Sequence, residues 1–256
     1  MKKIFCTIFS LLVLISCKQE RYCCVDLSPV KVTLKFTHNW DGIPVSSSDF
    51  NKFNFTNKNE EKISINRLRY LVSNIYLGEQ EYRNSNHYKH NLIDVGENTS
   101  QEISFLEAQK GNHNLKFTFG FSDADNKDAI YVDLNSANFN VPGMLGGGYH
   151  FMQFDGKYKD KNNQDANFNY HAIRAVDKTN ATNLKFEDTS FSVDLGNIEI
   201  KNDVIIEVKM NIAEWFKNPT TWNLNKLNTV LMPNFEAQKL ISKNGETVFN
   251  LGEVNP

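Results

Sequence analysis

The chain has 256 residues, with 28 Lys and Arg, 30 Asp and Glu, and a formal net charge of −2. This near-neutral charge, without a Lys/Arg run interleaved with aromatic residues, argues against nucleic-acid binding. Phe dominates the 12% aromatic share, which is typical of alternating strands that face a shared core.

The N-terminus predicts an exported lipoprotein. A basic start, Lys2-Lys3, precedes the apolar run Ile4–Ile15, which is too short to span a bilayer and is typical of a secretory signal. The run ends in L-I-S-C, with a small residue before Cys17. This ending resembles the bacterial lipobox and implies cleavage before Cys17 and lipidation of its thiol, which would hold the protein to a membrane. An ordinary cleaved signal is the alternative.

The predicted processing divides the chain into a signal peptide at 1–16, a tether at 17–29 and one domain at 30–256. We expect this domain to sit at the cell envelope, on the periplasmic or surface face of a bacterial membrane. The tether carries the vicinal pair Cys23 and Cys24. In an oxidising compartment this pair could form a vicinal disulfide, pair with another chain, hold Cu(I), or have no role.

Short segments with alternating apolar and polar residues predict β-strands from Val30 onwards. The clearest are Val30–His38, Arg67–Leu77 and Asp203–Met210. The period becomes helical only near the end, at Ile212–Phe216 and Phe235–Ile241. Ten or more short strands with so little helix predict an all-β fold, a single antiparallel β-sandwich with one or two short C-terminal helical turns.

Three successive glycines, Gly146 to Gly148, precede a predicted β-hairpin with arms Tyr149–Tyr158 and Asn167–Ile173. Each arm carries one histidine, His150 or His171. The two imidazoles approach each other only if the register and the facing of the arms agree, which the sequence leaves open. The alternative is a Gly-rich connection between core strands with two ordinary histidines.

Three further histidines are notable. Strict alternation puts His38 on the apolar face of the first strand, at its end. His87 and His90 lie in the polar segment Glu79–Asn91. Their spacing suits a metal on a turn, but the hydrophilic surroundings favour a solvated loop.

Several motifs occur in order along the domain: F-T-H-N-W-D-G-I-P, I-S-I-N-R-L-R-Y-L-V-S-N-I-Y-L, F-T-F-G-F-S-D-A-D-N, G-Y-H-F-M-Q-F-D-G-K-Y, F-N-Y-H and N-I-A-E-W-F-K-N-P. From about Val30 to Phe249, the series resembles the MbnP-like copper-binding domain family, in the style of its lipoprotein members. The resemblance implies copper binding outside the cytoplasm on a β-sandwich. In the better-known members, two histidines and a tryptophan oxidised to kynurenine hold the copper.

By position, His171 matches the histidine of the family's second hairpin arm. His38 is then the candidate first ligand, with Trp40 as the oxidisable neighbour; neutral imidazole suits both Cu(I) and Cu(II). The chain also departs from the family pattern, because Leu145 and three glycines stand where tryptophans are common. His150 stands where another residue type is expected, which opens a different ligand set of His38, His150 and His171.

We therefore expect a lipid-anchored protein that binds copper to store, scavenge or deliver it, with a metal-delivery partner or an outer-membrane protein as the implied partner. The alternative is a metal-free recognition module that uses exposed aromatic residues such as Trp40 or Trp222. We do not expect an enzyme, because the chain lacks G-x-S-x-G, a zinc-protease helix, a phosphate loop and a Cys–His pair in the domain. The spacing of the carboxylates does not exclude a catalytic pair of the glycosidase type, because a β fold brings distant residues together.

Overall fold

The computed structural model of the chain describes residues 28–180 and 182–255. The predicted signal peptide, Cys17 and the vicinal pair Cys23 and Cys24 lie outside these residues. In the part of the chain that is described, no helix is long and apolar enough to cross a membrane.

The regular structure of the described residues is mostly strand. The strands are β1 (Val30–Trp40), β2 (Ile43–Pro44), β3 (Phe55–Thr56), β4 (Lys62–Leu77), β5 (Gln80–Glu81), β6 (His90–Asp94), β7 (Glu102–Ala108), β8 (Gly111–Phe119), β9 (Met152–Lys159), β10 (Asp165–Ala172), β11 (Ala175–Asp177), β12 (Lys185–Glu187), β13 (Phe191–Ile200), β14 (Val204–Asn211) and β15 (Phe249–Asn255). The helices are α1 (Val132–Ser136) and α2 (Phe235–Gly245), with short 3-10 helices at Ser47–Asp49, Gly143–Leu145 and Ile212–Phe216.

The strands form two main sheets. The smaller sheet has the order β15-β14-β1-β2, with β7 also paired to β1. The larger sheet has the order β10-β9-β4-β8-β13, and β3, β5 and β6 also pair with β4. The pair β1 and β14 is parallel, whereas the other strand pairs are antiparallel. The predicted all-β sandwich with short helical segments is confirmed.

One hydrophobic core fills the space between the two main sheets. Strand β1 shows how the sequence pattern builds it: Leu34 and Phe36 are fully buried, whereas Lys35 between them is exposed. Phe36 contacts Phe117 of the opposite sheet edge-on, with ring centroids 5.9 Å apart. Complete burial of such a side chain contributes about 1.5–3 kcal/mol, so the apolar face of β1 determines how that strand docks.

Helix α2 connects the C-terminal part of the chain to the hairpin β9–β10. The helix begins where the Asn234 side chain accepts a hydrogen bond from the backbone N–H of Ala237, at 3.0 Å. From its first turn, Gln238 donates to the carbonyl oxygen of His171 and accepts from the N–H of Ile173. These two bonds hold the end of β10, and with it His171, against the helix.

Candidate metal centre

The outer face of the larger sheet carries two rows of polar side chains. Gln153 of β9 lies opposite Arg69 of β4 and opposite His171 of β10. Directly opposite residues share a face of a sheet, so these three side chains form one row. The next row, two residues along, consists of Arg67, Asp155 and Asn169.

The glycine turn brings His150 to the same face. Gly146, Gly147 and Gly148 all have positive φ angles, of 91°, 66° and 81°. A Cβ on Gly148 would lie 2.5 Å from the Asn126 side-chain oxygen, and this oxygen accepts the backbone N–H of Tyr149 at 2.8 Å. The turn therefore requires glycine at Gly148 and fixes the backbone immediately before His150.

His150 and His171 lie side by side. Their ring centroids are 5.2 Å apart and the rings are nearly perpendicular, at 82°. His150 is only 4% exposed, and His171 is 12% exposed in its side chain. Of the histidines predicted as ligands, the structure brings these two together.

The hydrogen bonds of His150 determine which ring nitrogen is free. Its Nδ1 lies 3.0 Å from the carbonyl oxygen of Phe139, which can only accept, and 3.4 Å from the side-chain nitrogen Nε2 of Gln153. The shorter contact requires a donor on the ring, so we assign the ring proton to Nδ1. The lone pair then resides on Nε2. This Nε2 atom is buried and has no hydrogen-bond partner among the described residues, whereas buried polar atoms are normally paired.

His171 is oriented in the corresponding way by a carboxylate. Its Nε2 donates to Oδ1 of Asp155 at 2.8 Å, which leaves the lone pair on Nδ1. Asp155 also accepts from Asn169 and from the guanidinium of Arg67, both at 2.5 Å. Burial alone raises the pKa of Asp155, but these donors, His171 first, outweigh burial and lower the pKa to about 2.

The protonation state of His150 also suits a metal ligand. Burial lowers the pKa of His150 to about 4; the Phe139 carbonyl opposes the shift, and the electrostatic effects of His171, Arg69 and Arg67 add to it. The imidazole is therefore neutral at pH 7. A neutral imidazole whose other ring nitrogen donates to a carbonyl or carboxylate is the usual arrangement of a metal-ligating histidine. His150 and His171 thus fit a metal that accepts two imidazoles.

Comparison with known proteins identifies the family. A family model described as MbnP matches residues 29–233, which is more than half of the chain. The chain belongs to the MbnP family. Among solved structures, the chain is similar to MbnP from Methylosinus trichosporium, at 12% sequence identity and a TM-score of 0.46, over 73% of this chain and 76% of that one. No curated protein matches the chain.

The MbnP resemblance predicted from the ordered motifs is thereby confirmed. Its two expected ligands, however, are not together in this MbnP-family structure. His38 lies on the core side of β1, and its Nε2 is 3.0 Å from the hydroxyl of Tyr70. Tyr70 points into the core, whereas its neighbour Arg69 shares the outer face with His171. His38 and His171 therefore lie on opposite faces of the larger sheet.

Trp40 is a core residue rather than part of the pair His150–His171. Its indole stacks on Phe55 at 5.0 Å and on Phe216 at 5.8 Å, and its Nε1 donates to the carbonyl oxygen of Thr56. Trp222 is likewise buried, at 1% exposure. The interpretation of Trp40 and Trp222 as exposed aromatic residues for recognition is therefore wrong.

The prediction that His90 lies in a solvated loop is wrong. His90 begins β6 opposite Ser73 of β4, and it is 1% exposed. Phe121 and Tyr131 pack against the ring, and Asp133, which lies 43 positions later, bonds to it. The alternation of Tyr88, His90 and Leu92 was the only local sign of a strand. His87 is exposed, as expected.

Proposed function

We propose that this MbnP-family protein binds copper outside the cytoplasm through His150 and His171. It stores, scavenges or delivers the metal, and a lipid on Cys17 holds it at the cell envelope. Delivery requires a second protein, such as a metal-delivery partner or an outer-membrane protein. Membership of the MbnP family supports copper over other metals.

The observation that carries the proposal is the free Nε2 atom of His150. It is a buried lone pair without a partner among the described residues, beside a second imidazole that Asp155 orients. Leaving such an atom unsatisfied costs about 1–3 kcal/mol, and a bound metal ion removes this cost. Within the described ranges, 28–180 and 182–255, no three His, Cys, Asp or Glu side chains converge as they do at larger metal centres, so the two imidazoles act as the protein ligands. Copper accepts imidazole ligands in both of its common oxidation states.

The test is metal content by mass spectrometry on the full chain, purified in detergent without affinity metals and challenged with copper and zinc. We expect near-stoichiometric copper that survives desalting. The double variant His150→Ala/His171→Ala should lose it, while His113→Ala, which removes a half-buried histidine elsewhere, should keep it. Equal copper in the wild type and the double variant would refute the assignment.

The variant His38→Phe separates the two candidate ligand sets. We expect it to retain copper, because His38 bonds to Tyr70 on the core side. Loss of copper in a folded His38→Phe variant would instead support the pair His38 and His171. If no variant, including the wild type, retains metal, the remaining function is a tethered recognition module.

The lipid anchor is tested separately from the metal. We expect the wild type to partition into the detergent phase of Triton X-114, and Cys17→Ser to partition into the aqueous phase. Because Cys17 is also part of the predicted cleavage site, the mass of the purified variant must show that the apolar run Ile4–Ile15 has been removed. Detergent partitioning of a cleaved Cys17→Ser chain would exclude Cys17 as the lipidated residue.

A further inference from the structure

Arg69 lies in the same row of side chains as His171, two strands away on β4. Gln153 stands between them, opposite both residues. Neighbouring strands are about 4.8 Å apart, so the backbone of Arg69 lies about 10 Å from that of His171. At this distance, and in a partly buried setting, a full charge still acts on an ion that the histidines bind.

Two neighbours of Arg69 also contact His150. The Nε atom of Arg69 donates to Oε1 of Gln153 at 2.7 Å, and the amide nitrogen of Gln153 lies 3.4 Å from Nδ1 of His150. The guanidinium carbon is 5.4 Å from the ring centroid of Phe139, whose ring is 5.6 Å from that of His150. Gln153 is only 4% exposed, so its hydrogen bond fixes the side chain of Arg69 in this direction.

The charge of Arg69 is less closely compensated than that of Arg67. Arg67 forms an ion pair with Asp155 at 2.5 Å, whereas Nε of Arg69 donates to a neutral amide. Asp94 faces Arg69 from β6, on the side of β4 away from the histidines. Burial and the charge of Arg67 lower the pKa of Arg69, and Asp94 and Asp155 offset this shift only in part. The guanidinium stays charged at neutral pH, in surroundings that disfavour a further positive charge.

This uneven compensation bears on the charge of a bound copper ion. Imidazoles bind metals in their neutral form, so they compensate neither Cu(I) nor Cu(II). A nearby positive charge repels a divalent ion twice as strongly as a monovalent one. At a separation of about 10 Å and an effective dielectric constant of about 20, this difference changes the ratio of the two affinities about tenfold.

We propose that Arg69 determines which oxidation state of copper the His150–His171 pair prefers, and that its guanidinium favours Cu(I) over Cu(II). The inference rests on the proposed copper site and adds to it a residue that sets its selectivity. Arg69 acts through space, and Gln153 sets the distance at which it acts. Because Asp155 is paired with Arg67, the charge of Arg69 can be removed without removing the ion pair beside His171.

The test is the affinity of the full chain in detergent for Cu(I) and for Cu(II), measured separately. Bicinchoninate is the competitor for Cu(I) under anaerobic conditions, and nitrilotriacetate is the competitor for Cu(II). In Arg69→Gln we expect the preference for Cu(I) over Cu(II) to fall about tenfold, which corresponds to a decrease of about 59 mV in the reduction potential. A redox titration of the copper-loaded protein measures the same decrease independently.

Three further variants separate the charge of Arg69 from its shape. Arg69→Lys keeps the charge and should keep the wild-type preference for Cu(I). Arg69→Met removes the charge but keeps an aliphatic contact with Phe139, and it should behave as Arg69→Gln does. Lys62→Gln removes an exposed charge seven residues earlier on β4. It should change neither affinity, because its charge lies about 23 Å along the strand and is screened.

The outcomes distinguish this inference from the proposed function. A wild type whose copper binding is unaffected by His150→Ala/His171→Ala would remove the site, and with it the role of Arg69. If that double variant loses copper but the preference is the same in the wild type and Arg69→Gln, the site stands and the role of Arg69 is overturned. An equal decrease in Arg69→Lys and Arg69→Gln would show that the shape of Arg69, and not its charge, is responsible.

Discussion

The carboxylate of Asp155 holds His171 in place through a 2.8 Å hydrogen bond to Nε2. Both residues are set by the strand register, in which Asp155 and His171 lie in neighbouring rows on β9 and β10. Arg67 and Asn169 fill the remaining acceptor positions of this carboxylate. Asp155 is therefore both the positioning residue of the proposed copper site and the ion-pair partner of Arg67.

Replacing Asp155 with Asn should weaken copper binding without removing a ligand. The amide has almost the same shape, but it is neutral and holds the His171 ring less firmly. Loss of such a second-shell partner typically reduces metal affinity about 10–100-fold. Competition with a copper chelator measures the change. Asp165→Asn, on the same hairpin but in an exposed pair with Lys159, is the control. Unchanged affinity in Asp155→Asn would mean that Asp155 does not support the site.

Asp155 should also make folding stability depend on acid. Its pKa in the folded protein is about 2, below the ordinary value of 3.8. A lowered pKa stabilises the fold above the unfolded value, and this contribution is lost as the pH falls from about 4 to about 2. The expected loss is about 2 kcal/mol. Urea unfolding of the wild type and Asp155→Asn measures it, and their difference in stability should shrink over this range. A difference that stays constant with pH would contradict the prediction.

The sequence predicted the strands well where one face of a strand is buried. The alternation in Val30–His38 matches β1, because burial of Val32, Leu34 and Phe36 fixes which face of the strand points to the core. The end of the chain was harder. Strand β15, Phe249–Asn255, contains only a short apolar pattern with Gly252 inside it, and its periodicity did not predict a strand.

Local sequence patterns could not predict which histidines lie close together in the fold. His150 precedes β9, which begins at Met152, and its ring is placed by Phe139, 11 positions earlier. His171 is placed by strand register and by helix α2. Because each contact joins segments that are distant in sequence, periodicity could name the candidate histidines but could not pair them.

The buried His38 should contribute to stability near neutral pH. Burial lowers the pKa of His38 to about 4, from an ordinary value of 6.5. Between pH 6.5 and about pH 4, His38 binds a proton in the unfolded chain but not in the folded protein. The free energy of unfolding is therefore unaffected by the titration of His38 above pH 6.5 and decreases as the pH falls to about 4. The expected loss is about 3 kcal/mol. His38→Phe should be less stable than the wild type at pH 7, because the Tyr70 hydroxyl loses its partner.

The decisive measurement for His38 is the slope of unfolding free energy against pH. His38→Phe should lose less stability between pH 6.5 and pH 4 than the wild type, and it should keep the part due to His150, whose pKa burial also lowers to about 4. His113→Phe controls for the number of histidines. Equal slopes in the wild type and His38→Phe would show that His38 is protonated without cost in the folded protein.

The glycine turn should be sensitive to a single methyl group at Gly148. An alanine there would have a φ of +81° and a Cβ 2.5 Å from the side-chain oxygen of Asn126. The backbone conformation alone costs about 1–3 kcal/mol. Displacement of Asn126 adds to this cost, because its oxygen accepts the N–H of Tyr149 directly before His150. We therefore expect Gly148→Ala to lower both the midpoint of thermal unfolding and the copper affinity.

The variant Gly42→Ala separates the cost of the backbone conformation from the effect of displacing Asn126. Gly42 has a similar φ of +89°, but a Cβ there meets nothing within 4 Å. It should therefore show the backbone cost alone and leave copper binding unchanged. Thermal unfolding and chelator competition on both variants check this. If Gly148→Ala destabilises no more than Gly42→Ala and keeps full copper affinity, then Asn126 does not transmit the shape of the turn to His150.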